Sequence, residues 1–203
     1  MSLYKSTEIP SSVMESQVKR KVGCTFKIQG EILPSRVVAD LRTDHAGEVG
    51  AVCIYKGVLF FSRDQALRNF AERHLATEQN HLMRIKEWLP PKDYSILLPL
   101  WRFAGFMTGA LPALFGPRAV YATIEAVETF VDLHYEEQVQ TLQDQPHLNL
   151  LSQTLKECQA DEIIHRDEAA IERGSLKLGF FLKLWCAIVS WGSRNAVIVC
   201  RYI

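Results

Sequence analysis

Six side chains constrain this chain more than anything else in it: Glu48, Glu78, His81, Glu128, Glu162 and His165. Glu78 and His81 form one E-x-x-H, Glu162 and His165 form a second, and each is preceded by a Glu inside a long apolar-periodic stretch. In the stretch LRTDHAGEVGAVCIY, the residues Leu41, Asp44, His45, Glu48, Ala51, Val52 and Tyr55 recur at the three- and four-residue steps of one helix face. A carboxylate on such a face is costly to bury unless something compensates its charge. The E-x-x-H spacing stacks carboxylate and imidazole one turn apart, so that the Glu can bridge two ions while the His caps one. A Glu from each of two helices plus an E-x-x-H from each of two others is the ligand set of a carboxylate-bridged di-iron or di-manganese bundle. Glu48 precedes its E-x-x-H glutamate by 30 positions and Glu128 by 34, which reads as a duplicated helical hairpin.

The remaining pattern is all-α. Helices are expected over about 34–62, 64–88, 117–143 and 148–173, with Asp64 as an N-cap and Gly174 as a C-cap. Gly47, Gly50 and Gly57 lower the helicity of the first, and close helix packing near the site is the expected compensation. On the third, Tyr121, Glu125, Glu128, Asp132 and Tyr135 are expected to face inward. Two further segments are hydrophobic: 95–116, broken by Pro99, Arg102 and Pro112, and the stretch from Leu176 onward with Phe180, Phe181, Trp185 and Trp191. Neither carries an acid; prolines and Arg102 in one, and Lys183 with the polar run 190–195 in the other, argue against lipid-exposed spans. Apolar aromatics beside cations suit helices lying in an anionic membrane surface; a core or oligomer interface is the alternative. Residues 1–32 lack a secretory h-region and read as a mobile extension ahead of a domain over 33–203.

With 203 residues, zero net formal charge and 23 % charged residues, nothing points to nucleic acid. The five cysteines show no C-x-x-C and no regular spacing, which disfavours a disulfide framework or a zinc site. Four carboxylates and two imidazoles suit iron or manganese better than zinc. Asp44 and Asp161 are candidates to hold the ligand histidines by their free N–H, or else caps or surface groups. Glu125 and Glu168 rival Glu128 and Glu162 by helical spacing, His45 reads as a packing residue, and His74 and His147 read as surface residues. His134 and Tyr135 fit proton or electron transfer beside the metals; Tyr135 fits a core aromatic with a bonded hydroxyl equally well.

At these residues the chain resembles the demethoxyubiquinone hydroxylase family of ubiquinone biosynthesis, the Coq7/Clk-1 proteins. The resemblance runs from about 33 to 194 and rests on DHAGEVGA at 44–51, EQNH at 78–81, AVE at 126–128, HY at 134–135 and DEIIH at 161–165. It implies a ferritin-like four-helix bundle with two additional hydrophobic, membrane-interfacial helices. It also implies two iron ions on Glu48, Glu78, His81, Glu128, Glu162 and His165, with His134 and Tyr135 close to them. The implied reaction is O2-dependent hydroxylation of the benzoquinone ring of a demethoxyubiquinone. Implied partners are a polyprenyl quinone, a membrane surface, an external electron donor, and a homo-oligomer or biosynthetic complex. The implied location is peripheral, on the cytoplasmic face of a bacterial inner membrane or the matrix face of the mitochondrial one. Two alternatives fit part of the same residue pattern: a ferritin- or rubrerythrin-like iron oxidase, and a non-enzymatic membrane-associated helical adaptor. The ending VIVCRYI departs from the family, and Thr77 stands before the first E-x-x-H where Asp161 stands before the second.

Overall fold

The computed structural model describes residues 33–203; the extension expected over 1–32 lies outside the described residues. Six α-helices follow in order: α1 Ser35–Phe61, α2 Gln65–Trp88, α3 Leu98–Ala113, α4 Pro117–Leu142, α5 Asn149–Arg173 and α6 Phe180–Cys200. No strand occurs among the described residues. The expected boundaries have local causes. Asp64 caps α2 by accepting the Leu67 N–H at 2.8 Å. Gly174 ends α5 at φ 75°, a left-handed backbone that only glycine adopts without strain. The last helix starts at Phe180, because residues 174–179 must first turn the chain back along α4.

Helices α1 and α2 form one hairpin and α4 and α5 the other, and together they make a four-helix bundle. The two hydrophobic segments are added on its outside: α3 lies along α1, and α6 lies along α4. One end of the bundle is filled by Tyr55, Val58, Phe70, Tyr121, Ile124 and Val127. The ionisable residues lie midway along the bundle, and Leu41, Ile85, Leu89, Leu142, Leu151 and Leu155 are buried beyond them. The contact between α1 and α3 is backbone against backbone. A Cβ on Gly109 would run into the Ile54 carbonyl, one on Gly105 into that of Gly50, and one on Gly57 into that of Phe106. Gly57 therefore has the packing role expected of it. Gly47 does not: a Cβ there would meet nothing within 4 Å, and the residue lines a cavity instead.

Three other expectations need correction. His74 is buried rather than on the surface, because it fills the space between Phe70 and His165, with ring centroids 4.0 Å from each. Glu125 and Asp132 do not complete the inward face of α4. They sit at its edge, where Arg173 holds Glu125 and Arg166 holds Asp132. These arginines come from α5, which sequence spacing along α4 alone does not reveal. His147 is exposed and His45 packs in the interior, stacked 3.7 Å from Tyr94, as expected.

Candidate metal centre and substrate cavity

All six sequence-predicted ligands converge between α1, α2, α4 and α5, and each is at least 96 % buried. They fall into two overlapping groups whose donor atoms lie within 4.8 Å of one another: Glu48, Glu78, His81 and Glu162, and Glu78, Glu128, Glu162 and His165. Glu78 and Glu162 belong to both groups. They stand where bridging carboxylates would stand, and each remaining pair, Glu48 with His81 and Glu128 with His165, caps one side. Both histidines turn Nδ1 inward: His81 to Glu162 Oε1 at 3.1 Å, and His165 to Glu78 Oε1 at 3.0 Å. The rivals are excluded by position. Glu168 is held at the surface by Arg73 and by His74 Nε2 at 2.9 Å, and Glu125 pairs with Arg173.

The electrostatics of this cluster call for cations. Burial, and then the neighbouring Glu78, push the Glu48 carboxyl well above the usual range. Burial together with Glu162, Glu78 and Glu48 does the same to Glu128. Burial opposes ionisation of Glu78 too, but hydrogen bonds with His165 and His81 outweigh it and bring that group down to about 2. Burial disfavours the charged imidazoles, yet Glu162 and Glu78 raise His81 far above its ordinary value and His165 to about 9. Protons thus take the place of positive charge. Even so, Glu48 Oε2, both oxygens of Glu78 and Glu162 Oε2 are buried without a well-aligned hydrogen bond, the nearby imidazoles approaching them only as close charges. Such orphaned oxygens are costly unless ligated, and four carboxylates with two imidazoles match the charge of two divalent ions. The residues present fit a dinuclear centre.

Around the ligands, the two hairpins brace each other. Tyr135 of α4 donates to Glu48 Oε1 of α1, and Tyr55 of α1 donates to Glu128 Oε1 of α4 at 3.4 Å. Burial, reinforced by the carboxylates, keeps both phenols protonated. Each tyrosine stands seven residues after the Glu of its own helix, a second trace of the duplication. That repeat is visible in the sequence and singles out Tyr55, which shares the helix face of Glu48. Of the two aspartates, Asp161 does hold a ligand histidine, accepting from His81 Nε2 at 3.1 Å. Asp44 does not. It accepts from Gln138 at 2.6 Å and from His134 Nε2 at 3.2 Å, because it sits one turn before Glu48, on the α4 side. Thr43 joins them, 2.9 Å from His134. Neither Gln138 nor Thr43 carries a motif, so only packing reveals them.

A cavity of about 400 Å³ opens from the carboxylates Glu48, Glu78, Glu128 and Glu162. Its walls are almost wholly apolar, and the polar exceptions besides the carboxylates include Asp44, His134 and Tyr135. Ala104 of α3 and Ile188 and Gly192 of α6 line it and are also exposed, so it opens to the outside between those two helices.

Residues 35–200 match the family described as Ubiquinone biosynthesis protein COQ7. The chain belongs to this family. Among its relatives is a mitochondrial NADPH-dependent 3-demethoxyubiquinone 3-hydroxylase of Dictyostelium discoideum, 30 % identical over 84 % of this chain and 80 % of that protein. A 3-demethoxyubiquinol 3-hydroxylase of Rhodospirillum rubrum is 32 % identical over 78 % of this chain and 81 % of its own length. The mitochondrial NADPH-dependent 3-demethoxyubiquinone 3-hydroxylase of Homo sapiens is 31 % identical over 73 % of this chain and 72 % of its own. The COQ7-family assignment covers all four bundle helices and both added ones.

Proposed function

We propose that this chain is a di-iron hydroxylase that adds oxygen to the benzoquinone ring of a demethoxyubiquinone in ubiquinone biosynthesis, using O2 and an external reductant. One observation carries the reading: a six-residue carboxylate–imidazole centre opens directly into an apolar cavity of a size suited to a quinone ring. Glu48, Glu78, His81, Glu128, Glu162 and His165 are the residues that would hold two iron ions. When bound, the iron pair supplies the redox chemistry that activates O2. The chain's own residues do the rest. The apolar walls exclude water from the reacting ring. Tyr55 and Tyr135 fix terminal carboxylates, and His134, set by Thr43, Asp44 and Gln138, offers the ring a polar contact. The relatives' names support two electron sources, NADPH or a substrate already reduced to the quinol.

The exposed apolar residues Phe103, Leu114 and Phe115 at α3, and Phe180, Phe181 and Trp191 on α6, flank the side on which the cavity opens. They support a position on a membrane surface, as a peripheral protein of the bacterial or mitochondrial inner membrane, from which a polyprenyl quinone would enter without crossing water. No helix among the described residues is long and apolar enough to cross a membrane.

The test is product analysis on lipid-reconstituted protein given iron, reductant, O2 and a demethoxyquinone, beside Glu162→Ala. Hydroxylated quinone from the wild type and none from the variant is the expected result. Rapid iron oxidation with no quinone product would transfer the assignment to an iron oxidase.

A further inference from the structure

The helices on either side of the cavity opening, α3 and α6, make little contact with each other, so something else must set the gap. Arg42 of α1 is placed to do so. Its Nε donates to the Asp93 carbonyl at 2.8 Å, in the turn that leads into α3. Its Nη1 donates to the Arg201 carbonyl at 3.3 Å, at the end of α6. Arg201 returns the contact: its Nε donates to Asp40 Oδ1 at 3.1 Å, one half-turn from Arg42 on the same helix. Asp40 is buried, so this pair is better shielded from solvent than an ordinary surface ion pair. Beside it, Cys200 lines the cavity and is buried, with Sγ 3.7 Å from Ser95 Oγ. Trp101, at the start of α3, lines the same end.

We infer that Arg42, Asp40 and Arg201 form a clamp that fixes the end of α6 against the start of α3 and so sets the width of the substrate cavity. They are positioning residues, acting through the helices they hold, and the inference rests on the substrate reading above. One guanidinium reaches both sides of the opening through backbone carbonyls, so a lysine at 42, with a single nitrogen, cannot replace it. Releasing it frees α6, whose Val189, Ala196 and Val197 form much of one cavity wall, to move away from the quinone.

The experiment uses the full chain with Arg42→Gln, Arg201→Gln and Asp40→Asn, and Arg201→Lys as the conservative control. Amide hydrogen exchange reads the clamp. Quenching of Trp101 and Trp185, which both line the cavity, by a short-tailed ubiquinone reads binding without needing turnover. Expected are faster exchange confined to residues 194–200 and quinone binding weakened about fivefold, the net effect of one ordinary hydrogen bond, with recovery in Arg201→Lys. Unchanged exchange in all three variants overturns the clamp, and so does equally faster exchange in α2 and α5, which means general destabilisation. Faster exchange at 194–200 with unchanged binding overturns its role at the cavity. Failure of the wild type to hydroxylate a quinone counts against the proposed reaction alone, because exchange and quenching still decide the clamp.

Discussion

Asp161 accepts a hydrogen bond from His81, so the residue before one E-x-x-H grips the histidine of the other. The relation is not reciprocated. Thr77 stands in the matching position before Glu78, and its hydroxyl donates to the Arg73 carbonyl of its own helix. Against His165 lies the ring of His74 instead. The two halves of the centre therefore support their histidines differently, and the difference is testable. A carboxylate on the outer nitrogen fixes the ring and raises its basicity. Asp161→Asn should weaken binding at the His81 side about 10- to 100-fold, whereas Thr77→Ala should leave both ions in place. Iron titration followed by metal analysis separates the two, and equal losses would refute the asymmetry.

The sharing of Glu78 and Glu162 between the two ligand groups sets an order of severity. Replacing either shared residue with Gln should abolish binding of both ions. Glu48→Gln or Glu128→Gln should retain about one ion per chain, because each removes one terminal ligand. Stoichiometry by metal analysis checks this, and an intact second ion in Glu162→Gln would contradict the shared geometry.

The metal-free protein should lose stability as pH rises. Glu48 and Glu128 hold protons above the 4.5 at which an unfolded Glu releases them, and His165 holds its proton to about 9 against 6.5 when unfolded. Burial brings His45 and His74 down to about 4, so they oppose this below 6.5; above 6.5 the folded state binds more protons than the unfolded one, which makes stability fall with pH there. Glu78, brought down to about 2, works in the opposite sense, but only below 4.5. Thermal melts of the metal-free chain should show a midpoint that declines between pH 6.5 and about 9. Ferrous iron should flatten or reverse the decline, since binding displaces those protons. A midpoint rising over that interval without metal would be inconsistent with the protonated cluster.

Two glycines should respond in opposite directions. Gly109→Ala places a methyl against the Ile54 carbonyl and should cost about 1–3 kcal/mol by forcing α3 away from α1. Gly47→Ala meets nothing and should stabilise the chain by up to about 1 kcal/mol through helix propensity. Denaturant melts of the two variants give the comparison directly.

The bundle and its centre were legible in the sequence because both rest on short-range regularities. Heptad-like spacing places Glu48 and Tyr55 on one face of a helix, the E-x-x-H fixes Glu78 beside His81, and Asp64 and Gly174 act on their own helix ends. Such features follow from backbone geometry, which each residue shares with its near neighbours. What joined the two halves was not legible. His81 meeting Asp161, Tyr55 meeting Glu128, Asp44 turning to His134, and Arg42 reaching Arg201 link residues separated by 73 to 159 positions. Their pairing depends on how one helix is rotated and offset against another, and that is decided by the packing of whole faces, such as the glycine contact of α3 with α1. The chain by itself determined which side chains would be buried and charged. Only the tertiary structure decided which of them answer one another, and that an apolar cavity lies at their side.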